Sequence, residues 1–229
     1  MARNIVAKST ADKAENPAKN LYGQKMGRKG AETRARLMMA TANLLEKRSI
    51  MDLSVAEIAA LAGTSSAAFY VYFDDVPEVA LALAENVEQI TPEIETSLVG
   101  AWDDENALAR ALVLVKAYIA LWQQHHPILR LRNLRADEGD KRFEEVRHAS
   151  VGRLHALLSA RIAAAQNGLD ASPGASALMI LLERTAAMAN LPLSRRHASR
   201  SQLIKATAFL ISKALTPEPK VATSRKKKR

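Results

Sequence analysis

The segment from Leu53 to Phe73 limits what this chain can fold into more than any other part of its sequence. It opens with Ser54 and Glu57, whose spacing is that of a capping box at the start of a helix. Gly63 suits the end of that helix, because glycine adopts the left-handed backbone of a helix C-terminus at little steric cost. The stretch Ser66 to Phe73 suits another short helix. The pattern therefore predicts two short helices joined by a tight turn.

A third helix is predicted immediately before this segment. Apolar positions recur there at the three- and four-residue intervals of one helix face, namely Leu37, Met38, Thr41, Leu44 and Leu45. We expect this helix to run from about Ala31 to Lys47. Three helices with a tight Ala-Gly turn between the last two are the pattern of a helix-turn-helix.

The rest of the chain also has the pattern of helices. Hydrophobic residues make up 48% of the sequence and there are only nine Gly and eight Pro, a composition that favours helices over turn-rich β architecture. Residues suited to starting a helix are Asp75, Thr91, Asp103 or Asp104, His126, Ser172 and Ser199. Beyond Trp102 we expect helices near 104–125, 127–136, 140–167, 173–191 and 199–215. The predicted fold class is all-α, with an N-terminal three-helix helix-turn-helix domain and a C-terminal helical domain.

Positive charge is concentrated at the two ends of the chain. The sequence has 33 Lys and Arg against 24 Asp and Glu, but residues 1–36 hold nine basic and three acidic groups and residues 213–229 hold seven basic and one acidic. We expect 1–30, which contains Pro17 and three glycines, to be a flexible basic arm, and 216–229 to be a disordered basic tail. Basic segments of this kind suggest nucleic acid as a partner.

Several other classes of protein are disfavoured. No apolar run is long enough to span a membrane and no signal peptide opens the chain, so we expect a cytoplasmic protein. The absence of Cys removes disulfides, thiolate metal sites and a cysteine nucleophile. Only His148 and His155 share a helix face, and they are too far apart for one metal without a third partner. With no nucleophile motif or phosphate-binding glycine loop, we expect neither an enzyme nor a metal or cofactor site.

The helix-turn-helix segment resembles that of the TetR family of bacterial repressors. The matching positions are Ile58-Ala59, Ala62-Gly63, Ser65, Phe69-Tyr70 and Tyr72-Phe73. The resemblance implies a homodimer that occupies double-stranded operator DNA and leaves it when an apolar small-molecule effector binds. It also implies a DNA-binding domain at 31–76 and an effector-binding and dimerisation domain at 77–215.

The resemblance further implies which positions meet DNA. The positions for base edges are Ser65, Ser66 and Ala67, and those for phosphates are Ser54, Tyr70 and Tyr72. The chain departs from the family at Ala67, where the family often has Gly or Pro, and at Val76, where Lys is common.

The helix-turn-helix segment has a shortage of positive charge. Residues 49–109 contain no Lys or Arg and 12 acidic residues. Because counterion release by cationic side chains supplies much of DNA affinity, another part of the chain must provide those cations. The available groups lie just before, within and after the first predicted helix: Arg28, Lys29, Arg34, Arg36, Lys47 and Arg48. We expect the basic arm to supply phosphate and minor-groove contacts that the recognition helix cannot.

Apolar stripes on the later helices are usually protein core, but the equivalent helices of TetR-like proteins enclose an effector pocket. The apolar candidates for such a pocket are Leu108, Leu112, Val115, Ile119, Trp122, Phe143, Val146, Leu154, Met179 and Leu182. The polar candidates are Tyr118, Arg147, Ser150 and Glu183. Within the family, Leu182-Glu-Arg-Thr185 and Asn43-Leu-Leu-Glu46 also resemble segments of EthR-type regulators, whose pocket is long and apolar.

The last two predicted helices have more apolar positions than one buried face requires. The candidates for a dimer interface are Leu178, Leu181, Leu182, Leu203, Ile204, Phe209 and Leu210.

Two alternatives to a specific repressor stay open. One is a helical ligand-binding or scaffold protein whose DNA-binding unit has decayed, as the acidic stretch suggests. The other is a protein that binds DNA without sequence preference through its basic ends.

Overall fold

The computed structural model describes residues 20–87, 90–192 and 198–218, and in these ranges it contains helices and no β-strand. The helices are α1 (Arg28–Leu45), a 3-10 helix (Ile50–Asp52), α2 (Val55–Leu61), α3 (Ser66–Phe69), α4 (Val76–Glu85), α5 (Pro92–Leu98), α6 (Ala107–Asp137), α7 (Lys141–Ala165), α8 (Ala171–Ala189) and α9 (Arg200–Leu215). The prediction of an all-α fold is confirmed.

The chain forms two compact units. The first unit contains the described residues up to 87 together with 122–152, and the second contains 90–121 together with the described residues from 153 onward. Helices α6 and α7 each contribute residues to both units. The functional roles assigned to 31–76 and 77–215 stay predictions.

The N-terminal helices of the first unit surround a closely packed core. Helix α1 packs against α2 and α4, and α2 packs against α3. At the centre lie Leu37, Ile58, Phe69, Phe73 and Leu83, each at most 1% exposed. The rings of Phe69 and Phe73 have centroids 5.8 Å apart. This core fixes the angle between α2 and α3.

Helix α6 is longer than the sequence predicts. A break was expected between His126 and Pro127, but one continuous helix runs through both residues. A proline inside a helix removes one backbone hydrogen bond and costs about 3 kcal/mol. Here His125, two residues before the proline, is 8% exposed, and Ile128 and Leu129, immediately after it, are at most 3% exposed. Burial on both sides of the proline outweighs the local preference to stop.

The capping predictions have mixed outcomes. Asp75, Thr91 and Ser199 each accept a hydrogen bond from a backbone N–H in the first turn of the helix that follows, as expected. Ser172 does not cap α8, which begins at Ala171 after Asp170. The proline at position 173 is tolerated in the first turn, where its missing N–H would have had no partner within the helix.

The ends of the chain differ in part from the expected flexible arm and tail. Helix α1 begins at Arg28, inside the predicted arm, and Asn20 to Gln24 form a hydrogen-bonded turn. At the other end Thr216 is only 8% exposed. The remaining parts of both predicted segments, 1–19 and 219–229, lie outside the described residues.

In the second unit, Arg110 secures the end of α5. Its guanidinium donates to the carbonyl oxygens of Ser97 at 3.1 Å and Thr96 at 3.2 Å, and to that of Val99. A helix C-terminus leaves its last carbonyls without partners inside the helix and favours a nearby cation. Arg110 therefore fixes the connection from α5 to α6.

Candidate nucleic-acid interface

The turn between α2 and α3 has the geometry that its sequence predicts. Gly63 has φ +65°. Its N–H donates to the Ala60 carbonyl at 3.1 Å, and the Thr64 N–H donates to the Ala59 carbonyl at 2.9 Å. These two bonds satisfy carbonyls at the C-terminus of α2 in the arrangement of a Schellman motif. The turn then leads directly to Ser65, whose hydroxyl accepts the Ala68 N–H at 3.1 Å and starts α3.

We expect Gly63→Ala to lower the free energy of unfolding by roughly 1–2 kcal/mol, because alanine must adopt a left-handed backbone there. No atom outside the flanking residues lies within 4 Å of the position a Cβ would take, so the cost is conformational and not steric. Thermal denaturation followed by circular dichroism should show a melting temperature lower by a few degrees. Gly152→Ala is the matched control, because Gly152 lies inside α7, has no positive φ and also has open space. An unchanged melting temperature for Gly63→Ala would contradict the expectation.

The residues in family-like DNA positions are accessible to different degrees. Ser54, Ser65 and Ala67 are exposed, whereas Ser66 and Tyr72 are half-buried. Tyr70 is 49% exposed, although its ring makes an edge contact with Phe69 at 5.5 Å between centroids. Ser54 also caps α2 by accepting the N–H of the residue three positions on, at 3.3 Å. The exposed groups surround the buried phenylalanines that hold α3 in position.

Helix α3 is shorter than predicted. The expected helix ran from Ser66 to Phe73, but α3 ends at Phe69 and a turn follows. The expected capping box at Ser54 is also incomplete, since the Glu57 carboxylate forms an ion pair with Arg48. Arg48, a predicted DNA-binding cation, is therefore paired with a carboxylate of the same chain.

Two further predicted DNA-binding cations also have partners within the fold. The Arg36 Nε donates to the Ala62 carbonyl at 3.1 Å, so it ties α1 to the end of α2. The Arg34 guanidinium lies 4.9 Å from the centroid of the Phe73 ring, and burial lowers the pKa of this arginine. Neither interaction could be foreseen from α1 alone, because the partners lie far along the sequence.

The other predicted cations remain available to an anion. Arg28 pairs with Glu32 at 3.2 Å, but both side chains are more than half exposed and such pairs are weak. Lys29 and Lys47 are exposed, and within the described ranges their side chains have no ion pair or hydrogen bond. Lys25, which is not among the predicted DNA-binding cations, has the same properties.

The predicted effector residues are divided between the two units. Those in the second unit are Leu108, Leu112, Val115, Tyr118, Ile119, Leu154, Met179, Leu182 and Glu183. Those in the first are Trp122, Phe143, Val146, Arg147 and Ser150. Seven of the fourteen are buried and six are half-buried, but Leu108 is 45% exposed, while its neighbour Ala107 is 4% exposed. The buried face of α6 therefore begins one residue before the predicted stripe.

The polar groups in this region of the first unit differ from those predicted. The predicted Arg147 is bound to Asp137 at 2.6 Å. Two other α6 groups, Trp122 Nε1 and His125 Nδ1, are buried and have no hydrogen-bond partner among the described residues. Burial also lowers the pKa of His125, so its neutral form is favoured. Arg132 is completely buried and donates to the Ser150 hydroxyl at 2.8 Å.

His125 and Arg132 were not selected from the sequence. Together with Trp122 and Leu129 they fall at intervals of three and four residues, which place them on one face of α6. That spacing could have revealed them if Pro127 had not suggested the end of a helix.

Two surface cavities lie away from the predicted effector residues. One of about 480 Å³ in the first unit lies between the 3-10 helix, Tyr70 and Arg135. Another of about 360 Å³ in the second unit is lined by Asn167, Lys213 and Pro217, among others.

In the part of the chain that the structure describes, no cluster of three acidic or histidine side chains could hold a metal ion. The expectation that the chain is not an enzyme stays a prediction.

Three large apolar side chains of α8 and α9 are exposed. Ile180 is 68% exposed, Phe209 52% and Leu210 55%. The two helices pack against each other on another face, where the hydroxyls of Thr185 and Thr207 lie 3.0 Å apart. Of the predicted dimer residues, Leu178 and Leu182 belong to the buried side.

Among the described helices, none has the length and apolarity needed to cross a membrane.

Comparisons with known proteins identify both parts of the chain. Residues 37–83 match the model of bacterial regulatory proteins of the tetR family, and residues 96–216 match a tetracyclin repressor-like C-terminal domain. No protein of curated function matches the chain in sequence. These comparisons do not test the likeness to EthR-type regulators, which stays a prediction.

Two solved structures share the fold. One is the fatty acid degradation regulator FadR from Bacillus halodurans, with a TM-score of 0.60 and 17% identity over 82% of this chain and 96% of that chain. The other is a tetR-family transcriptional regulator from Streptomyces coelicolor, with a TM-score of 0.54 and 20% identity over 82% of both chains.

Proposed function

This chain belongs to the TetR family of bacterial regulatory proteins, and from that premise we propose that it is a cytoplasmic transcriptional repressor. A homodimer occupies double-stranded operator DNA and releases it when an apolar small molecule binds. The proposal of DNA binding is supported chiefly by the turn at Gly63, which is followed by a capped helix with exposed small side chains.

The chemistry of α3 suits close approach to a DNA groove. Ser65 and Ala67 are exposed and small, so the backbone of α3 can come near base edges. A serine hydroxyl can bond to several base edges, and an alanine methyl can contact the methyl group of thymine. The hydroxyls of Tyr70 and Tyr72 supply phosphate contacts. Positive charge comes from Lys29 in the first turn of α1 and Lys47 just after its end, which compensates in part for the lack of cations in α2 and α3.

Selection of DNA from a random pool tests this proposal. The full-length protein is used to select duplexes of about 30 base pairs, which can hold two half-sites one helical turn apart. Binding of the selected duplex and a shuffled duplex is then measured by fluorescence anisotropy over a series of salt concentrations. Preference for the selected duplex supports a specific regulator. Equal affinities would indicate nonspecific binding, and no binding of either would indicate a decayed DNA-binding unit.

We place the effector beside the buried Trp122 of α6, within the first unit, and propose that it carries a hydrogen-bond acceptor as well as an apolar body. Trp122 Nε1 can only donate, and leaving a buried donor without a partner costs free energy that a ligand oxygen can recover. The similar structure from Bacillus halodurans is described as a regulator of fatty acid degradation. An alkyl chain with a polar head is therefore a suitable first probe.

We expect dodecanamide to release the selected duplex and dodecane to leave it bound. Replacing Trp122 by Phe keeps an aromatic ring but removes the donor, so the amide concentration needed for release should rise by roughly 3- to 10-fold. Trp102→Phe is the matched control, since Trp102 Nε1 is also buried without a partner among the described residues but lies outside the predicted site. Equal responses of the two variants would refute the assignment of Trp122.

We also propose that α8 and α9 form the dimer interface. Ile180, Phe209 and Leu210 present large apolar surfaces to solvent. Large apolar side chains exposed on two helices that pack against each other suit a binding surface, and two-fold pairing would cover the same residues on both protomers.

A further inference from the structure

Residues 20–24, a few positions before α1, form a hydrogen-bonded turn. The Asn20 Oδ1 accepts the Tyr22 N–H at 3.1 Å and the Gln24 N–H at 2.9 Å. The Asn20 Nδ2 donates to the Gln24 Oε1 at 3.0 Å, and Gly23 closes the turn by donating to the Asn20 carbonyl at 2.9 Å. The Asn20 N–H also donates to the Gln24 carbonyl at 2.9 Å, so five hydrogen bonds hold this segment, Asn20 to Gln24, together. We call it the N-terminal turn.

The N-terminal turn is attached to the end of the helix-turn-helix. The Leu21 N–H donates to the carbonyl of Val71 at 3.2 Å. Val71 lies between Tyr70 and Tyr72, the two tyrosines in family-like phosphate positions. The chain then returns to the same place, since a Cβ at Gly30 would lie only 3.6 Å from the Tyr72 hydroxyl. The N-terminal turn is thus held at Val71, between the two tyrosines in sequence, and the first turn of α1 lies beside Tyr72.

The N-terminal turn presents two groups suited to phosphate. Tyr22 is 70% exposed, although a tyrosine ring gains free energy when it is covered. Lys25 follows the turn directly, and its ammonium has no partner among the described side chains. Its charge counts for more here because residues 49–109 contribute no Lys or Arg and hold 12 acidic residues. A phenol and an ammonium can both donate hydrogen bonds to a phosphodiester oxygen.

We propose that the N-terminal turn is a second DNA-contacting element, in which Tyr22 and Lys25 bind the phosphodiester backbone next to the phosphates met by Tyr70 and Tyr72. This inference rests on the proposed function and adds residues that the family-like positions do not include. Asn20 acts as a positioning residue, because its side chain holds the turn and does not itself meet DNA. The turn supplies part of the cationic surface that α2 and α3 lack.

Binding of the selected duplex by point variants of the full-length protein tests the proposal. Lys25→Gln should reduce the slope of log affinity against log salt concentration by about 1, the change expected when one phosphate contact is lost. In a dimer that uses both turns the reduction is about twice as large. Lys116→Gln, on the exposed side of α6, is the matched control and should leave the slope unchanged.

A double-mutant cycle separates positioning from a general loss of stability. Asn20→Ala should weaken binding by roughly 3- to 10-fold in the wild-type protein, but by less than about 2-fold in the Tyr22→Ala/Lys25→Gln background. If the Asn20 effect is equal in both backgrounds, or if Lys25→Gln keeps the wild-type slope, the proposal is wrong. If the wild-type protein selects no duplex at all, the proposed function fails first, so the two failures are distinguishable.

Discussion

A protein with both Phe209→Asp and Leu210→Asp is expected to be monomeric and to bind its selected duplex at least about 100-fold more weakly than the wild type. The two side chains are 52% and 55% exposed, so the change removes apolar surface from the proposed interface without opening the core. Two-fold pairing would place at least four carboxylates in one interface, where desolvation and like-charge repulsion both oppose association. Loss of the second half-site contact then accounts for the fall in affinity.

Sedimentation at micromolar protein concentration measures the first part of this expectation, and anisotropy with the selected duplex measures the second. Val113→Asp is a suitable control, because Val113 is 48% exposed on α6 and lies outside the proposed interface. A double aspartate variant that still sediments as a dimer would exclude this face of α8 and α9. A monomeric variant with unchanged affinity would show that dimerisation is not needed for operator binding.

Phe69→Ala is expected to lower the free energy of unfolding by about 3–5 kcal/mol, a large part of the stability of an ordinary domain. The Phe69 side chain is completely buried and lies beside the rings of Tyr70 and Phe73. Its removal leaves a cavity at the junction of α2 and α3 and takes away the support that orients α3. Both stability and specific DNA binding should therefore fall.

Tyr70→Ala provides the matched comparison at the next position. Because Tyr70 is 49% exposed, we expect its loss to weaken DNA binding while changing the melting temperature much less than Phe69→Ala. Urea denaturation and anisotropy on the same samples separate the two effects. If Phe69→Ala melts like the wild type, the packing role assigned to this ring is incorrect.

The turn at Gly63 could be predicted because its local signals agree. A capping serine, a glycine suited to positive φ and a second capping serine all specify the same short segment, so little depends on distant residues. Pro127 shows the opposite case, since its local preference for a break is overridden by packing on both sides of it.

The candidate DNA site was predictable only in outline for a related reason. The family-like positions follow from spacing, but the availability of each cation depends on partners far along the chain. Arg36 is held by a carbonyl 26 residues away. An argument from composition alone would treat the Arg36 charge as available to nucleic acid, although this side chain is held within the fold. His125 and Arg132 could not be predicted either, because Pro127 suggests that a helix ends between 125 and 127, whereas α6 is continuous through these residues.

The passage of α6 through both compact units limits how this regulator can be recombined. A fragment ending at residue 87 would lack 122–152, which belong to the same compact unit as the helix-turn-helix. A hybrid regulator made by joining another protein's ligand-binding half after α4 would therefore have to recreate that missing packing, or carry 122–152 with it. Engineered exchange of operator specificity should work better by replacing the surface of α3 than by exchanging whole domains.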